Sequence, residues 1–457
     1  MTPTFTRPAQ GIRRPPPGPK GLPLLGNLLD FSRDVLRCYC DWSTRFGDVV
    51  ALRLGSWPAV LINRPADIEH VLVANHRNFI KFPFFFRHVR AIFGAGLLTS
   101  EGALWQSQRR LMAPAFNPQR LTAYGDATVR YTEEMLDEWQ ADEVRDAHAD
   151  AMALTLRIAA KSLFDAEVRD DVAELGDAFQ TIADEIAVRM RRPLRIPDAL
   201  PTPGNIRYAR AVRRIDRLVG RIIGERRNHG GDRGDLLSML VLARDDEDRP
   251  MIARQLRDEM VTLLLAGHET TALALSWTWY LLSQHPDVEE MLADEATRVL
   301  GGRAAGASDL PKLVVARQIV TEAMRLYPPA WGFGREALVD CELGGYCIPA
   351  GTTIIISPWV LHRDPRYFDR PAEFRPERWS DEFMRRLPRS AYIPFGGGPR
   401  ICIGNRFAVM EAVLILATVA RRYRLQWQGN RPILPLPSIT LRPQGGVWVK
   451  PAQRFQS

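Results

Sequence analysis

The chain has 457 residues, of which 46% are hydrophobic and 25% charged, with 33 glycines, 34 prolines and 5 cysteines. This composition is typical of a globular protein and excludes a disordered chain, a collagen-like repeat and a disulfide scaffold. The net charge of +8 would suit nucleic acid, a membrane surface or an acidic protein, but the arginines run from Arg7 to Arg454 without one dominant cluster, which argues against nucleic acid.

The N-terminal thirty residues are rich in proline. Five prolines lie between Pro15 and Pro23, and no apolar stretch is long enough for a signal peptide or a membrane anchor. Clustered prolines keep the backbone extended, so residues 1–30 are predicted to form a stiff arm, solvated or docked, before a helix near Phe31. Residues 31–457 contain no repeat or obvious linker and are predicted to form a single domain.

The predicted elements are mainly helical. Residues 48–63 read as two short strands around Gly55 and Pro58, because apolar and β-branched residues flank turn formers. From Trp105 to Leu326 the apolar spacing is helical, with breaks at Pro193, Pro203, Gly230 and Pro286. Residues 336–356 and 423–449 return to strand. We therefore expect a mainly α protein with small β-sheets.

A long helix is predicted from Ile252 to Gln284, about 50 Å at about 1.5 Å per residue. Its middle is apolar on nearly every side, which indicates a buried helix. A membrane span would place His268 and Glu269 at mid-bilayer, where an ionised side chain costs about 2.5–3.5 kcal/mol, so the protein interior is favoured. A glycine, an acid and two threonines at the centre of such a helix indicate a site. The alternative for this feature alone is a kink with a satisfied polar residue.

Cys402 lies in a glycine-rich loop, followed by a helix predicted to begin near Ile403. A helix N-terminus, the neighbouring Arg400 and a bound metal would each favour the thiolate form of this cysteine. A phosphate-binding loop is the competing interpretation, but neither of the usual phosphate-loop motifs is matched. An inert buried cysteine would not explain the surrounding glycines and arginine.

The five cysteines of the chain are few and scattered, which predicts a reducing compartment, the cytoplasm.

The motifs together resemble those of the cytochrome P450 superfamily, in the soluble bacterial type. The haem-loop signature FxxGxRxCxG is matched in full, and the family's other motifs follow in the same order and spacing. The matching residues are Phe395, Gly398, Arg400, Cys402 and Gly404; the AGHETT sequence 266–271; the ExxR pair Glu322 and Arg325; FRPERW at 374–379; and Trp105 with Arg109.

The resemblance implies haem b, held between the long helix and the cysteine loop, with Cys402 as its thiolate ligand. It implies that Thr270 and Glu269 deliver protons on the distal side. Further cofactor contacts are implied at Trp105, Arg109, Arg335, Arg400, Phe395 and Gly398, the arginines and the tryptophan serving the propionates. A structural cluster is implied at Glu322, Arg325 and Arg378.

The implied activity is insertion of one oxygen atom of O2 into a lipophilic molecule such as a fatty acid, terpenoid or steroid, with electrons from a separate ferredoxin or flavodoxin and its reductase. The implied substrate pocket comprises Phe86, Phe93, Leu98, Leu263, Ala266, Ala330, Trp331 and Phe333, although each of these aromatics could equally be plain core. Basic residues near the loop, Arg109, Arg110, Arg400 and Arg406, are expected to attract an acidic electron donor. The alternatives are a peroxide-driven peroxygenase or haem-thiolate isomerase, and a non-catalytic haem carrier or sensor. The presence of both Glu269 and Thr270 argues against them.

Overall fold

The computed structural model describes residues 15–140, 142–191, 197, 200–244 and 250–454, without the side chains of residues 84–88, 190, 191 and 229. Helices dominate this part of the chain, joined in places by short 3-10 and π turns. The α-helices are α1 (Leu28–Phe46), α2 (Pro65–Glu69), α3 (Pro83–Phe93), α4 (Gly102–Met112), α5 (Pro118–Asp137), α6 (Ala147–Phe164), α7 (Val172–Arg191), α8 (Pro203–His229), α9 (Leu236–Leu242), α10 (Ala253–Gln284), α11 (Pro286–Leu300), α12 (Val314–Leu326), α13 (Pro358–Leu361), α14 (Asp381–Arg386) and α15 (Asn405–Arg422).

The strands are short and fall mostly before α3 and after α12. They are β1 (Val49–Leu54), β2 (Trp57–Ile62), β3 (Phe79–Lys81), β4 (Arg145–Asp146), β5 (Phe333–Ala337), β6 (Cys341–Leu343), β7 (Tyr346–Ile348), β8 (Thr353–Ile356), β9 (Tyr423–Trp427), β10 (Pro435–Pro437), β11 (Leu441–Pro443) and β12 (Trp448–Gln453). The mainly helical fold with small sheets is as predicted.

The largest sheet combines the three strands that precede α3 with two strands that follow α12. Its strand order is β1-β2-β8-β5-β3, with β2 and β8 parallel and the other pairs antiparallel. In the β1–β2 hairpin Val49 lies opposite Ile62, which confirms the two strands predicted around Gly55. The smaller sheets are β10-β11, β4-β12-β9 and β6-β7.

Part of the proline-rich arm docks on this sheet. The backbone N–H of Ala51 in β1 donates to the carbonyl of Pro17 at 2.8 Å, and Gly26 forms a β-bridge with Leu54. The first helix then begins at Leu28, three residues before its predicted start. The arm therefore extends the edge of the sheet at β1.

The long helix α10 is confirmed, with 32 residues and Ile252 as its N-cap. Residues from Val261 to Leu282 are buried with three exceptions, Ala266, Gly267 and Thr270.

The predicted helix breaks coincide with helix ends. Pro203 and Pro286 occupy the first turns of α8 and α11, where a missing N–H costs nothing, and Gly230 caps the end of α8. Pro193 lies outside the described residues. Within the described chain, no helix has the length and apolar character needed to cross a membrane.

Candidate functional site

The loop before Cys402 is closed by its own backbone. The N–H of Cys402 donates to the carbonyl of Phe395, and the N–H of Ile401 donates to the carbonyl of Gly398, both at 3.0 Å. Gly398 has φ +66°, and a Cβ there would collide with the backbone carbonyl of Leu72, so only glycine fits. The turn continues through Gly404, the N-cap, and α15 begins at Asn405. The predicted helix start at Ile403 was therefore two residues too early, because Cys402 still belongs to the closed loop.

The Cys402 thiol is enclosed by protein yet has accessible surface. Burial raises the pKa of Cys402, while the N–H of Gly404 and the charge of Arg109 act to lower it. The side chain is nevertheless exposed. The sulfur is therefore surrounded by protein and still accessible to a ligand. The cation acting on this pKa is Arg109, rather than the predicted Arg400, because Arg400 turns toward Glu101.

The long helix presents a matching accessible strip. Ala266 is exposed and Thr270 half-buried within a helix whose central residues are otherwise almost all buried. The two residues are four apart and so lie on one face. The Thr270 hydroxyl donates to the Ala266 carbonyl at 2.8 Å. The small side chain at 266 and the hydroxyl at 270 therefore border open space.

Cationic side chains gather beside the loop. The Arg400 guanidinium stacks over the Trp105 ring at 4.2 Å and pairs with Glu101, while its Nη1 is buried without a partner. Arg335 donates to the Gly334 carbonyl at 2.9 Å, and burial, reinforced by the charge of Arg400, lowers its pKa to about 10. Excess positive charge with an orphaned buried donor calls for an anionic ligand.

This donor set fits haem b. Cys402 would supply a sulfur ligand to the iron, since its thiol is accessible. Arg400 and Arg335 would meet the propionates together with Trp105 and Arg109, which lie four residues apart in α4. The small Ala266 side chain leaves room for a flat ring system beside α10. The residues predicted from the resemblance to contact the cofactor are thus compatible with it, and Phe395 and Gly398 shape the loop.

Glu269 is directed elsewhere than Thr270. Its Oε1 accepts hydrogen bonds from Thr440 Oγ1 at 2.7 Å and from Arg442 Nε at 2.8 Å. Burial alone would raise the pKa of Glu269, but the Arg442 guanidinium and the Thr440 hydroxyl hold it below the usual value. In this structure Glu269 is an ionised partner of Arg442. The acid and the alcohol that were predicted to form one proton relay therefore bind different groups, Glu269 the Arg442 guanidinium and Thr270 the Ala266 carbonyl.

The predicted substrate pocket divides into two groups. Phe93 and Leu263 are packed into the core, at 3% and 6% exposure, and their assignment to the pocket stays a prediction. Trp331 contacts residues outside the predicted pocket. Its indole N–H donates to the Ser438 carbonyl at 3.0 Å, and its ring packs against Tyr39.

The remaining pocket candidates keep accessible surface. Leu98 is 38% exposed. Ala330 and Phe333 are half-buried and Ala266 is exposed. The side chain of Phe86 lies outside the described residues. These four residues therefore keep surface that a ligand can contact.

The predicted structural cluster is assembled as expected. Arg325 binds both carboxylate oxygens of Glu322 at 2.8 Å, and Arg378 Nε reaches the same carboxylate at 3.0 Å. Arg325 also donates to the carbonyl of His362 at 2.8 Å, and His362 Nε2 accepts the N–H of Ile393 at 2.9 Å. Ile393 leads into the Cys402 loop, so the cluster anchors the start of that loop.

Several polar residues of the site were not predicted. Glu101, Lys81 and Arg442 occupy positions that no motif marks. Arg442 is 173 residues from Glu269 in the chain. A buried acid at position 269 signals that some partner is needed, but only the folded chain shows which one.

Comparison with known proteins gives a consistent result. The sequence profile of cytochrome P450 matches residues 16–449. The chain is 38% identical to cyclooctatin synthase of Streptomyces melanosporofaciens over 441 residues, covering 96% of each protein. It is 37% identical to cyclooctat-9-en-7-ol 5-monooxygenase of the same organism, covering 93% of this chain and 90% of the relative. It is 34% identical to pentalenene oxygenase of Streptomyces avermitilis, covering 93% and 94%.

Proposed function

Because the chain belongs to the cytochrome P450 family and is a monooxygenase with haem b as its cofactor, we propose that its substrate is a lipophilic cyclic terpenoid. The observation that carries this proposal is that Cys402, Ala266 and Thr270 keep accessible surface, the last two within a helix whose central residues are otherwise almost all buried. Haem bound there supplies the oxygen-activating chemistry. The chain itself would supply a sulfur ligand, cations for the propionates and the accessible hydroxyl of Thr270.

Two features support the substrate class. The exposed Leu98 and the half-buried Phe333 offer apolar surface to a ligand. The names of two relatives denote an alkene and a cyclic alkenol, both lipophilic carbon skeletons. A fatty acid would bring a carboxylate, which needs a cation or donor of its own in an apolar pocket. Cyclic terpenoids therefore suit the site better.

A paired ligand series tests this class. Purified holoenzyme would be titrated with cyclic terpene hydrocarbons and terpene alcohols, and with fatty acids of matched carbon number, while the Soret band is monitored. We expect a saturable optical shift with the cyclic compounds, and a hydroxylated product that requires both O2 and a reductant. A shift with fatty acids alone would contradict the substrate class. Product formed only from added peroxide would favour a peroxygenase.

Thr270 is proposed as the residue that passes protons into the cavity. Its hydroxyl is the accessible polar group on the α10 strip, and its bond to the Ala266 carbonyl fixes the oxygen at that wall. Glu269 could join only after its bonds to Arg442 and Thr440 open, since a bound carboxylate holds no proton to give. Thr270 is thus proposed as the first proton donor, its hydroxyl turning from the Ala266 carbonyl to do so, and Glu269 as a second acid.

Thr270→Ala should uncouple oxygen consumption from product formation. We expect O2 uptake to persist, peroxide to accumulate, and product per O2 to fall by about 100-fold, the low end of the contribution of a positioned proton donor. Thr270→Ser should retain coupling because it keeps the hydroxyl. Thr278→Ala is the matched control, since Thr278 makes the same bond to the carbonyl four residues back, at 2.7 Å, but is fully buried. Unaltered coupling in Thr270→Ala would remove this role.

Electrons are proposed to come from a separate acidic protein, a ferredoxin or flavodoxin. Arg110 and Arg406 are exposed on the helices that flank the Cys402 loop, whereas Arg109 and Arg400 are half-buried. Neutralising Arg110 and Arg406 should weaken the dependence of the rate of reduction by a ferredoxin on salt concentration. An unchanged salt dependence would exclude this surface as the docking site.

The proposed location is the cytoplasm, since a reducing compartment preserves the free cysteines.

A further inference from the structure

The loop between α3 and α4 lies directly against the N-terminal half of α10. The N–H of Ala95 donates to Asp258 Oδ2, and the N–H of Leu97 donates to Glu259 Oε2, both at 2.9 Å. A Cβ at Gly96 would overlap the Thr262 hydroxyl, so loop backbone and helix are in contact there. The loop is therefore held by side chains of α10 rather than by packing alone.

A second buried side chain, from the sheet, binds the same loop. Lys81, at the end of β3, donates through Nζ to the carbonyl of Leu97 at 2.9 Å and to the carbonyl of Ser100 at 3.1 Å. Lys81 is 9% exposed and Glu259 is fully buried. The N–H and the C=O of Leu97 are thus each bound by a buried ionisable group, one from the sheet and one from the long helix.

Ionisable groups are costly at both positions. Burial lowers the pKa of Lys81 to about 7, with Arg400 and Arg335 acting in the same direction and Glu101 and Glu259 opposing them. Packing would be served as well by apolar side chains of similar size. The free-energy cost of burying two ionisable side chains at this loop indicates a functional requirement.

Burial also disfavours the charged form of Glu259. Burial raises its pKa to about 7; the Leu97 N–H and the Gln255 side chain oppose this, Asp258 adds to it, and Lys81 opposes it. Each of the two groups therefore favours the charged form of the other.

The position of Glu259 connects this loop to the cavity. Glu259 and Ala266 are seven residues apart, two turns of helix, and so lie on one face at a separation of about 10 Å along the axis. The Leu97 carbonyl belongs to the peptide bond that leads into Leu98. Fixing that carbonyl fixes the direction in which the exposed Leu98 side chain leaves the loop, and Leu98 is one of the residues predicted to line the substrate pocket.

We propose that Lys81 and Glu259 are positioning residues that bind the C=O and the N–H of Leu97, respectively, and thereby make Leu98 a fixed wall of the proposed substrate pocket. This wall limits the bulk of ligand that the cavity admits. The inference rests on the proposed function in one respect, namely that the cavity beside Ala266 is the ligand site.

Two azole ligands of different size test the proposal in the holoenzyme. Imidazole and the much bulkier clotrimazole both bind haem iron through nitrogen and shift the Soret band, so both dissociation constants are read optically. In Glu259→Leu and in Lys81→Met we expect the imidazole constant to stay within about twofold. The clotrimazole constant should fall by about tenfold, equivalent to the loss of one hydrogen bond that restrains the wall.

Glu259→Gln separates positioning from general structural support, because it keeps an acceptor for the Leu97 N–H and should retain the wild-type ratio of the two constants. Arg254→Gln, an exposed site on the same helix, is the neutral control. An unchanged or increased ratio of clotrimazole to imidazole constants in Glu259→Leu and Lys81→Met would overturn the proposal. So would a Glu259→Gln ratio that matches Glu259→Leu.

Hydrogen exchange gives a second measurement that does not depend on azole binding. The Leu97 amide should exchange at least about tenfold faster in Glu259→Leu than in the wild type, and near the wild-type rate in Glu259→Gln. Equal exchange in all three proteins would contradict the proposal. A wild type that shows no optical response to either azole would count against the proposed function instead, so the two failures are distinguishable.

Discussion

Cys402→Ser is expected to abolish monooxygenase activity and to remove the red-displaced Soret band of the ferrous carbonyl complex. A serine hydroxyl stays protonated where a thiol can ionise, and it cannot donate electron density as a thiolate does. The fold should survive, because the loop is closed by the backbone N–H of residue 402 and by Gly398, neither of which the substitution alters. Product formation should therefore fall to background while helix content is kept.

Cys347→Ser is the matched control for this variant. Cys347 is also an exposed free thiol, but it lies in β7, in the β6-β7 hairpin. We expect it to retain the red-displaced band and full activity, as measured by carbon monoxide difference spectra and product assay. A Cys402→Ser protein that still showed the thiolate spectrum would refute Cys402 as the iron ligand, and with it the interpretation of the whole site.

Glu322→Gln is expected to lower the free energy of unfolding by about 3–5 kcal/mol, the cost of breaking a buried ion pair by removing one charge. The Glu322 carboxylate is fully buried and serves Arg325, Arg378 and the indole N–H of Trp379. Glutamine cannot balance two guanidinium charges, so both cations would remain buried without an anion. Urea unfolding monitored by circular dichroism gives the loss directly.

This variant should also bind haem more weakly. Arg325 is linked through His362 to Ile393 at the entrance of the Cys402 loop, so loosening the cluster loosens the loop. Glu382→Gln is the control, because Glu382 pairs with Arg386 in α14 with both side chains at least 70% exposed, and such pairs contribute about 1 kcal/mol or less. Equal destabilisation by the two substitutions would show that the buried cluster is not a principal support of the fold.

Local patterns in the sequence were sufficient for the main elements. The apolar stretch around position 268 predicted α10 to within one residue, because a continuous buried helix requires apolar residues on all sides. The turn formers Gly55 and Pro58 located the β1–β2 hairpin. The start of α15 was less well predicted, since the hydrogen bond from Cys402 to Phe395 delays the helix to Asn405.

The pocket was the least predictable part of the site. Aromatic and apolar residues near the haem motifs looked alike in sequence, whether they pack or line a cavity. Phe93 and Leu263 are core residues, while Leu98 and Ala266 remain accessible. Burial is decided by neighbours from other elements, and apolar character alone cannot separate the two outcomes.

By itself the sequence determined the family, the cofactor and the central helix, and it predicted Cys402 as the iron ligand, because these depend on residues close together in the chain or on spacings that a motif preserves. Only the tertiary structure decided which partner each buried charge finds. Glu269 pairs with Arg442 across 173 residues, and Leu97 is bound by Glu259 from 162 residues away. A buried charge or peptide group requires a partner at hydrogen-bond distance, and chain folding alone determines which distant residue meets that requirement.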